Sequence, residues 1–487
     1  MSRSTTPRQR QLFAAFLLAF FPAAISLYPR LDEDTWWHLA VGEYVLQNGT
    51  VPSTDPFSRI GQEERKTWIA YSWLHEVLLA GAYRIGGLGG IIAFRHVLNT
   101  LTYITVAWFV LRGSEGRVRP LVVLALFTAT LVPMSLERPW HYTIVFTTLT
   151  LHATTEWRNG APAWRFWWLI PVYVLWANLH IQFVLGFGVM GLGFLATSVE
   201  RWRRDHFAID WHWLALIAAC GVATLANPYH VRLYGVIWEY ATQTGTMKIV
   251  TELAPPPFIP EWPSVPWWNW SLAILLLWAA WNCIARRLPI FDTAFLVAGA
   301  YFSLRMQRDI WFGALCAAAV LTRFSATPRA ETTRTLFASL AGATLVAVLI
   351  ARLISGFGAG TGKSATEVNR KHYPAAAVEY LRANRPPGPI FNHFNWGGYL
   401  IWTLAEYPVG MDGRTNLYGE ERLKRAYHTW RGDGWDKDSD LLAAGVVLAP
   451  KKLNTKLTDL LREATDRWRI VYEDDVAVIF VPIGSLR

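Results

Sequence analysis

The chain of 487 residues has little charge and little cysteine. Asp, Glu, Lys and Arg make up 17% of it, against about 25% in ordinary globular chains. Hydrophobic residues make up 53%. The cysteines Cys220, Cys283 and Cys316 all lie in apolar runs and give no readable disulfide framework. This composition excludes a disordered chain and a purely soluble one.

Familiar nucleotide and hydrolase signatures are also missing. The sequence has no Walker motif, no H-E-x-x-H and no G-x-S-x-G, which argues against an ATP-driven pump, a zinc protease and a serine hydrolase of the usual kind. Gly186, Gly188 and Gly191 do match G-x-G-x-x-G. They lie inside an apolar run with no preceding strand, so close helix packing explains them better than a nucleotide. No repeat of solenoid period is present.

Long apolar runs dominate the first three quarters of the chain. A membrane-spanning helix needs about 20 mostly apolar residues, and 27 tryptophans are typical of membrane-interface belts. We predict a polytopic α-helical membrane protein with about eleven transmembrane helices. Their expected positions are 12–28, 89–111, 120–136, 139–155, 166–181, 183–198, 210–226, 270–285, 288–304, 310–322 and 335–353. The segment 73–86 is interrupted by charged residues and reads as an amphipathic helix in the interface, closed by a bend at Gly86-Gly87.

The distribution of basic residues predicts the orientation. Bases outnumber acids at the N-terminus and in alternate loops, whereas acids outnumber bases in the segment 29–72. By the positive-inside rule, the N-terminus is cytoplasmic and the C-terminal part is extracytoplasmic. The net charge of +10 is therefore a topology signal, and we expect no nucleic-acid partner. A cleaved signal peptide ending near Ala24-Ile25-Ser26 is the alternative for the first run, which is nevertheless long enough to span.

Two domains are expected. Residues 1–353 form the membrane module, with outer loops at 29–88 and 227–269, and residues 354–487 form an extracytoplasmic α/β domain after a glycine-rich hinge. In the tail, helices are predicted at 374–384, 399–405, 419–429 and 453–464, strands at 389–394, 407–411 and 445–449, and a hairpin at 468–482. Turns between strands and helices are predicted at Gly397-Gly398 and at Asp412-Gly413-Arg414. The tail is thus expected to be accessory, and Asp412→Ala to leave measurable turnover.

The richest candidate for chemistry is the acidic segment that follows the first apolar run. Asp32 and Asp34 could act as a general base on an acceptor hydroxyl, as ligands of a divalent cation (Mg or Mn), or as both. A solvated loop is the simpler alternative. Trp36, Trp37 and His38 follow directly and are expected to cover the carboxylates as an aromatic lid. His38 could orient a carboxylate, contact a phosphate or belong to the interface belt. Asp34 is the metal-ligand candidate.

Further candidates lie where apolar runs meet on the predicted outer side. Arg305 and Arg308 stand outside, where the positive-inside rule does not expect arginine, and could clamp a lipid-linked phosphate or extend to lipid headgroups. The weaker substrate-binding candidates are Arg138, His180, Gln182 and Glu252. His180 and Gln182 either face a cavity or satisfy backbone groups at a helix junction.

Several motifs together resemble the GT-C superfamily of membrane glycosyltransferases. The order of apolar runs and the first-loop D-x-D agree with it. Six stretches resemble a bacterial branch: 32–39 (DEDTWWHL), 49–58 (GTVPSTDPFS), 178–180 (NLH), 227–229 (NPY), and the tail pair 391–400 (FNHFNWGGYL) and 411–418 (MDGRTNLY). The resemblance implies transfer of a sugar from a polyprenyl-phosphate donor to a glycan, lipid or protein acceptor on the outer side of the bacterial inner membrane. It gives Asp32 or Asp34 the role of the first-loop acid, while Arg305 and Arg308 only loosely match donor-phosphate residues. A non-catalytic lipid-phosphate binder or a transporter of envelope glycolipids is the alternative.

Overall fold

The computed structural model describes residues 30–112, 119–204, 209–242, 250–257, 266–322, 361–452 and 455–484. The predicted spans at 12–28 and 335–353 and most of the glycine-rich hinge lie outside these ranges. Each of the nine other predicted spans contains an α-helix. In chain order the described helices are α1 (Thr35–Asn48), α2 (Arg59–Glu64), α3 (Trp73–Arg112), α4 (Arg119–Thr130), α5 (Trp140–Arg158), α6 (Leu169–Leu179), α7 (Val184–Trp202), α8 (Trp211–Ala223), α9 (Arg232–Thr242), α10 (Trp267–Arg286), α11 (Ile290–Arg305), α12 (Ile310–Thr322), α13 (Thr361–His372), α14 (Ala375–Asn384), α15 (Phe394–Thr403), α16 (Thr415–Tyr418), α17 (Glu420–Trp430), α18 (Ser439–Leu442) and α19 (Lys456–Glu463).

Within the described residues, three helical stretches are long and apolar enough to cross a membrane. They are Trp73–Arg112, Ile181–Trp202 and Trp267–Arg286. Arg119–Thr130 and Trp211–Ala223 are apolar but shorter. The predicted span 120–136 is cut short because α4 ends at Thr130 and a 3₁₀ turn containing Pro133 follows.

The segment 73–86 is helical and is separated from the next predicted span by a break within α3. The non-helical backbone lies at Gly87, at φ 57° and ψ −142°. That conformation is open to glycine and strained for other residues. The predictions of a helix over 73–86 and of a bend at the glycine pair are both confirmed.

The chain forms two compact units. The first comprises residues 1–28, 92–230 and 251–358, and the second comprises 29–91, 231–250 and 359–487. In its described residues the first unit is helical. Its apolar core includes Ile144 of α5, Phe295 of α11 and Trp311 of α12. The second unit joins the first outer loop with the tail, so its parts come from widely separated stretches of sequence.

The second unit contains a four-stranded sheet, built from β1 (Ile390–Asn392), β2 (Val446–Pro450), β3 (Trp468–Glu473) and β4 (Ala477–Pro482). The strand order is β1-β2-β4-β3, with β1 parallel to β2 and the other pairs antiparallel. All five residues of β2 are buried because helices and neighbouring strands cover it. The sheet confirms the predicted α/β character of the tail, including the hairpin of β3 and β4.

Two predictions for the tail are wrong. Gly397 and Gly398 lie inside α15 and not in a turn. The segment 407–411 is not a strand, since Val409 makes only an isolated parallel bridge with Ser58. In both cases contacts with distant parts of the second unit decide the local conformation.

Candidate functional site

The acidic segment lies at the start of α1, in the second unit. Asp34 is the residue before α1, and its backbone N–H donates to Oδ1 of Asp32 at 2.9 Å. The backbone N–H of Thr35 donates to the Asp32 carbonyl at 3.2 Å. Both carboxylates are half-buried. The turn uses one oxygen of Asp32, while the Asp34 carboxylate makes no capping bond to the helix, so the two acids have different surroundings.

The aromatic residues behind the acids point into the protein. Trp36 and Trp37 are buried, and Trp36 packs edge-on against Tyr373 and Tyr399, with ring centroids 5.4 and 5.1 Å apart. His38 is also buried, and its Nδ1 lies 3.1 Å from Oε1 of Glu76. These rings pack in the interior behind the acidic segment, and their role as an aromatic lid over the carboxylates stays a prediction.

A buried ionic network ties the first outer loop to the tail. Arg414 donates to both oxygens of Asp412, at 2.8 and 2.7 Å, and to Oδ1 of Asp55 at 2.5 Å. Its guanidinium carbon also lies 4.7 Å from the centre of the Trp68 ring. Tyr418 donates to Oδ2 of Asp412 at 2.5 Å. The charged side chains are almost completely buried, and mutual pairing compensates for their loss of water.

The pKa shifts follow from this pairing. Burial alone would raise the pKa of Asp55, but the charge and hydrogen bond of Arg414, with hydrogen bonds from Ser58 and Phe57, lower it below its ordinary value. Burial alone would lower the pKa of Arg414, but Asp412 and Asp55 raise it well above its ordinary value. The Asp55 carboxylate and the Arg414 guanidinium are therefore held in their charged forms.

Sequence reasoning missed this network. Asp55 and Arg414 are separated by 359 residues, and each lies in a motif that carried the family resemblance without an assigned role. The only available signal was that an acid and an arginine each stand in a motif that carried the resemblance. Nothing local pairs one motif with the other.

The remaining predicted residues lie in the first unit. Four of them stand at two tight helical hairpins: His180, Gln182, Arg305 and Arg308. The α6–α7 hairpin turns through extended His180 and a 3₁₀ turn at Ile181–Phe183. The α11–α12 hairpin turns through extended Met306 and a 3₁₀ turn at Gln307–Asp309. Gln182 Nε2 donates to Oδ1 of Asp309 at 2.9 Å and so joins the two turns.

The structure brings most of these candidates into one set of contacts. The backbone N–H of Gln307 donates to the Ala254 carbonyl at 2.9 Å, which sets the turn carrying Glu252 against the arginine turn. Glu252 lies 3.9 Å from Arg138. We call this set the polar rim; it comprises Arg138, Gln182, Glu252, Arg305, Arg308 and Asp309. Arg305 and Arg308 are half-buried within it.

Asp309 is the buried acid of the polar rim. Burial raises its pKa, against the opposing effects of the Arg308 charge, the Gln182 hydrogen bond and the Arg305 charge. His180 is different, since it is completely buried and its Nδ1 lies 2.7 Å from Oγ1 of Thr143. Of the two predicted junction residues, Gln182 belongs to the rim and His180 to the interior.

The first unit contains a buried ion pair that sequence reasoning also missed. Arg95 Nε lies 2.6 Å from Oε2 of Glu137, with both side chains almost completely buried. Glu137 directly precedes Arg138 of the polar rim.

For a metal, the described ranges contain no group of three or more His, Cys, Asp or Glu side chains able to hold an ion.

Comparison with known proteins gives a similarity among solved structures. No family model matches the chain, and no curated protein matches it. Among solved structures, the chain is similar to the crystal structure of ArnT from Cupriavidus metallidurans bound to undecaprenyl phosphate, with 14% sequence identity and a TM-score of 0.48. The match covers 98% of this chain and 98% of that one.

Proposed function

We propose that this protein is an integral-membrane glycosyltransferase of GT-C type. It takes a sugar from a polyprenyl-phosphate donor and transfers it to a glycan, lipid or protein acceptor on the outer side of the bacterial inner membrane. The observation that carries the proposal is the polar rim, in which arginines stand at turns between apolar helices. Arginine is suited to phosphate at such a place because its planar fork donates two parallel hydrogen bonds.

The proposed reaction assigns a role to each carboxylate. The acceptor hydroxyl oxygen attacks the anomeric carbon, and its proton passes to the carboxylate of Asp34. The bond between the anomeric carbon and the phosphate oxygen breaks, and its electron pair leaves with the phosphate. Asp32 is the supporting acid, because one of its oxygens already accepts the Asp34 N–H.

The polar rim would hold the departing phosphate. Arg305 and Arg308 supply positive charge, and Asp309 with Gln182 fixes the turn that carries them. Glu252 beside Arg138 adds a second charged contact on the same rim. Asp34 remains the candidate ligand for a divalent cation.

The test is turnover by the purified full-length protein. A polyprenyl-phosphate hexose and a polyprenyl-phosphate pentose serve as donors, bacterial envelope extract supplies acceptors, and release of polyprenyl phosphate is measured. Asp34→Asn keeps the side-chain shape but removes the base, so we expect turnover to fall by about 10²–10⁴-fold. Asp32→Asn should have the smaller effect.

The arginine assignment has its own control. Arg308→Ala should raise the KM for donor, whereas Arg165→Ala, at an exposed arginine of another loop, should leave it unchanged. If the single Asn variants and the double variant all keep full turnover, the catalytic assignment is wrong. A non-catalytic lipid-phosphate binder or a glycolipid transporter would then be the better account.

A further inference from the structure

The Asp34 carboxylate fills the space where a side chain at position 413 would begin. A Cβ built on Gly413 would lie 1.9 Å from Oδ1 of Asp34 and 2.9 Å from its Cγ. Real Cβ atoms do not approach oxygen so closely. Glycine at 413 therefore leaves room for this rotamer of Asp34, and any larger residue would displace it.

The loop that carries Gly413 is held firmly. Asp412 and Arg414 flank it and are almost completely buried. Their charges pair with each other, and Arg414 also reaches Asp55 of the first outer loop. Moving this loop would break a buried ionic network and leave buried charges without their partners. If a Cβ at position 413 occupied this space, the Asp34 carboxylate would have to move, because the loop is held in place.

The tail also contacts the acidic segment from a second side. A Cβ on Gly398, in α15, would lie 2.8 Å from the carbonyl oxygen of Glu33 and 3.2 Å from the Trp37 ring. Asn369 Oδ1 accepts the backbone N–H of Leu31 at 3.3 Å. The backbone around the two acids is therefore set by residues of the tail and not by α1 alone.

We propose that Gly413 is a positioning residue for Asp34, and that the tail forms a wall of the carboxylate site. This rests on the proposed function, in which Asp34 accepts the proton of the acceptor hydroxyl. Proton transfer requires the base to lie within hydrogen-bond reach of that hydroxyl, so a rotamer change at Asp34 lowers the rate. The tail is then part of the reaction site, in contrast to the accessory role expected from the sequence.

Gly413→Ala tests the positioning role directly. The atom it would meet is the far end of a half-buried, rotatable side chain, so the protein keeps its fold while the carboxylate turns away. We expect kcat for release of polyprenyl phosphate to fall by about 10–100-fold, with little change in the donor KM or in Tm. The matched control is Gly388→Ala in the same tail, where the new Cβ meets Tyr407 at an ordinary 3.7 Å.

A double-mutant cycle separates positioning from general damage. Gly413→Ala combined with Asp34→Ala should be no slower than Asp34→Ala alone, and any Tm loss of Gly413→Ala should disappear in the double variant. The positioning role would be overturned by additive effects of the two substitutions on Tm or on the rate. It would also be overturned if Gly413→Ala kept full kcat while Asp34→Asn was inactive. Full turnover by both Asp34→Asn and Gly413→Ala would overturn the proposed base as well. If the unchanged protein turns over neither donor, the proposed function fails. The Tm cycle still decides whether the contact exists.

Discussion

At the scale of single residues, the buried network around Arg414 gives the sharpest expectation for stability. Asp55→Ala removes one of its two carboxylate partners and leaves a buried guanidinium half compensated. We expect the free energy of unfolding of the second unit to fall by about 3–5 kcal/mol. Denaturant unfolding in detergent, followed by tail tryptophan fluorescence, measures it.

The control for this prediction is a solvent-exposed ion pair. Arg370 and Glu379 lie 3.1 Å apart with both side chains largely exposed, so Arg370→Ala should leave unfolding unchanged. Equal behaviour of Asp55→Ala and Arg370→Ala would contradict the importance given to the buried network.

A second residue-scale prediction concerns pH. His393 Nδ1 accepts the backbone N–H of Asn395 at the start of α15, and burial lowers its pKa to about 4. The unfolded chain binds a proton at His393 below about pH 6.5, while the folded chain does not until about pH 4. The unfolded state thus binds more protons in this window, so stability falls as the pH is lowered through it, by about 1–3 kcal/mol.

The variant that isolates this effect is His393→Asn. Asparagine can cap the same backbone N–H but does not titrate. Its free energy of unfolding should lose this pH-dependent component between pH 6.5 and 4. An unchanged pH slope in the variant would assign the dependence to other groups.

At the scale of elements, apolar runs predicted where most helices lie but not how glycines are used. Gly397 and Gly398 look like a turn, since local sequence associates glycine pairs with turns. In the structure they lie in α15 because that helix approaches other backbone closely; a Cβ on Gly397 would lie 2.0 Å from the Met411 carbonyl oxygen. The misread strand at 407–411 has a similar cause, because its backbone partner Ser58 is remote in sequence.

Gly397→Ala tests this close approach. The atoms it would meet belong to backbone, which cannot rotate away, so we expect a stability loss of about 1–3 kcal/mol. Gly81→Ala in α3 is the control, as its new Cβ meets open space and alanine favours the helix. Thermal unfolding of both variants decides the matter; a Tm loss at Gly81 equal to that at Gly397 would contradict it.

At the scale of the whole molecule, the predicted topology can be tested with cysteine labels. The native cysteines are buried, so background labelling should be low. Arg203→Cys and Asp436→Cys place thiols at exposed positions in the predicted inner loop and in the tail. A membrane-impermeant maleimide on intact cells should label position 436 and should reach 203 only after permeabilisation. Labelling of both in intact cells would contradict the topology.

The candidate site was also only partly readable from sequence. The position of Asp32 and Asp34 at a helix start, and of Arg305 and Arg308 at a turn, follows from local pattern. The contacts of Gly413 with Asp34 and of Arg414 with Asp55 do not, since they arise only when distant segments fold together. A sequence pattern shows which groups can react, whereas tertiary contacts determine their orientation.

The long separation between Asp55 and Arg414 has a consequence for biosynthesis. The arginine is translated 359 residues after its partner acid, which at about 5–20 residues per second is a delay of roughly 20–70 s. Throughout that interval the nascent chain carries the acidic segment without the loop that orients it. A chain whose synthesis stops before position 414 therefore contains Asp32 and Asp34 but lacks the tail residues that orient the Asp34 carboxylate. Under the proposed function, a newly made chain can therefore transfer sugar only after the tail has been translated.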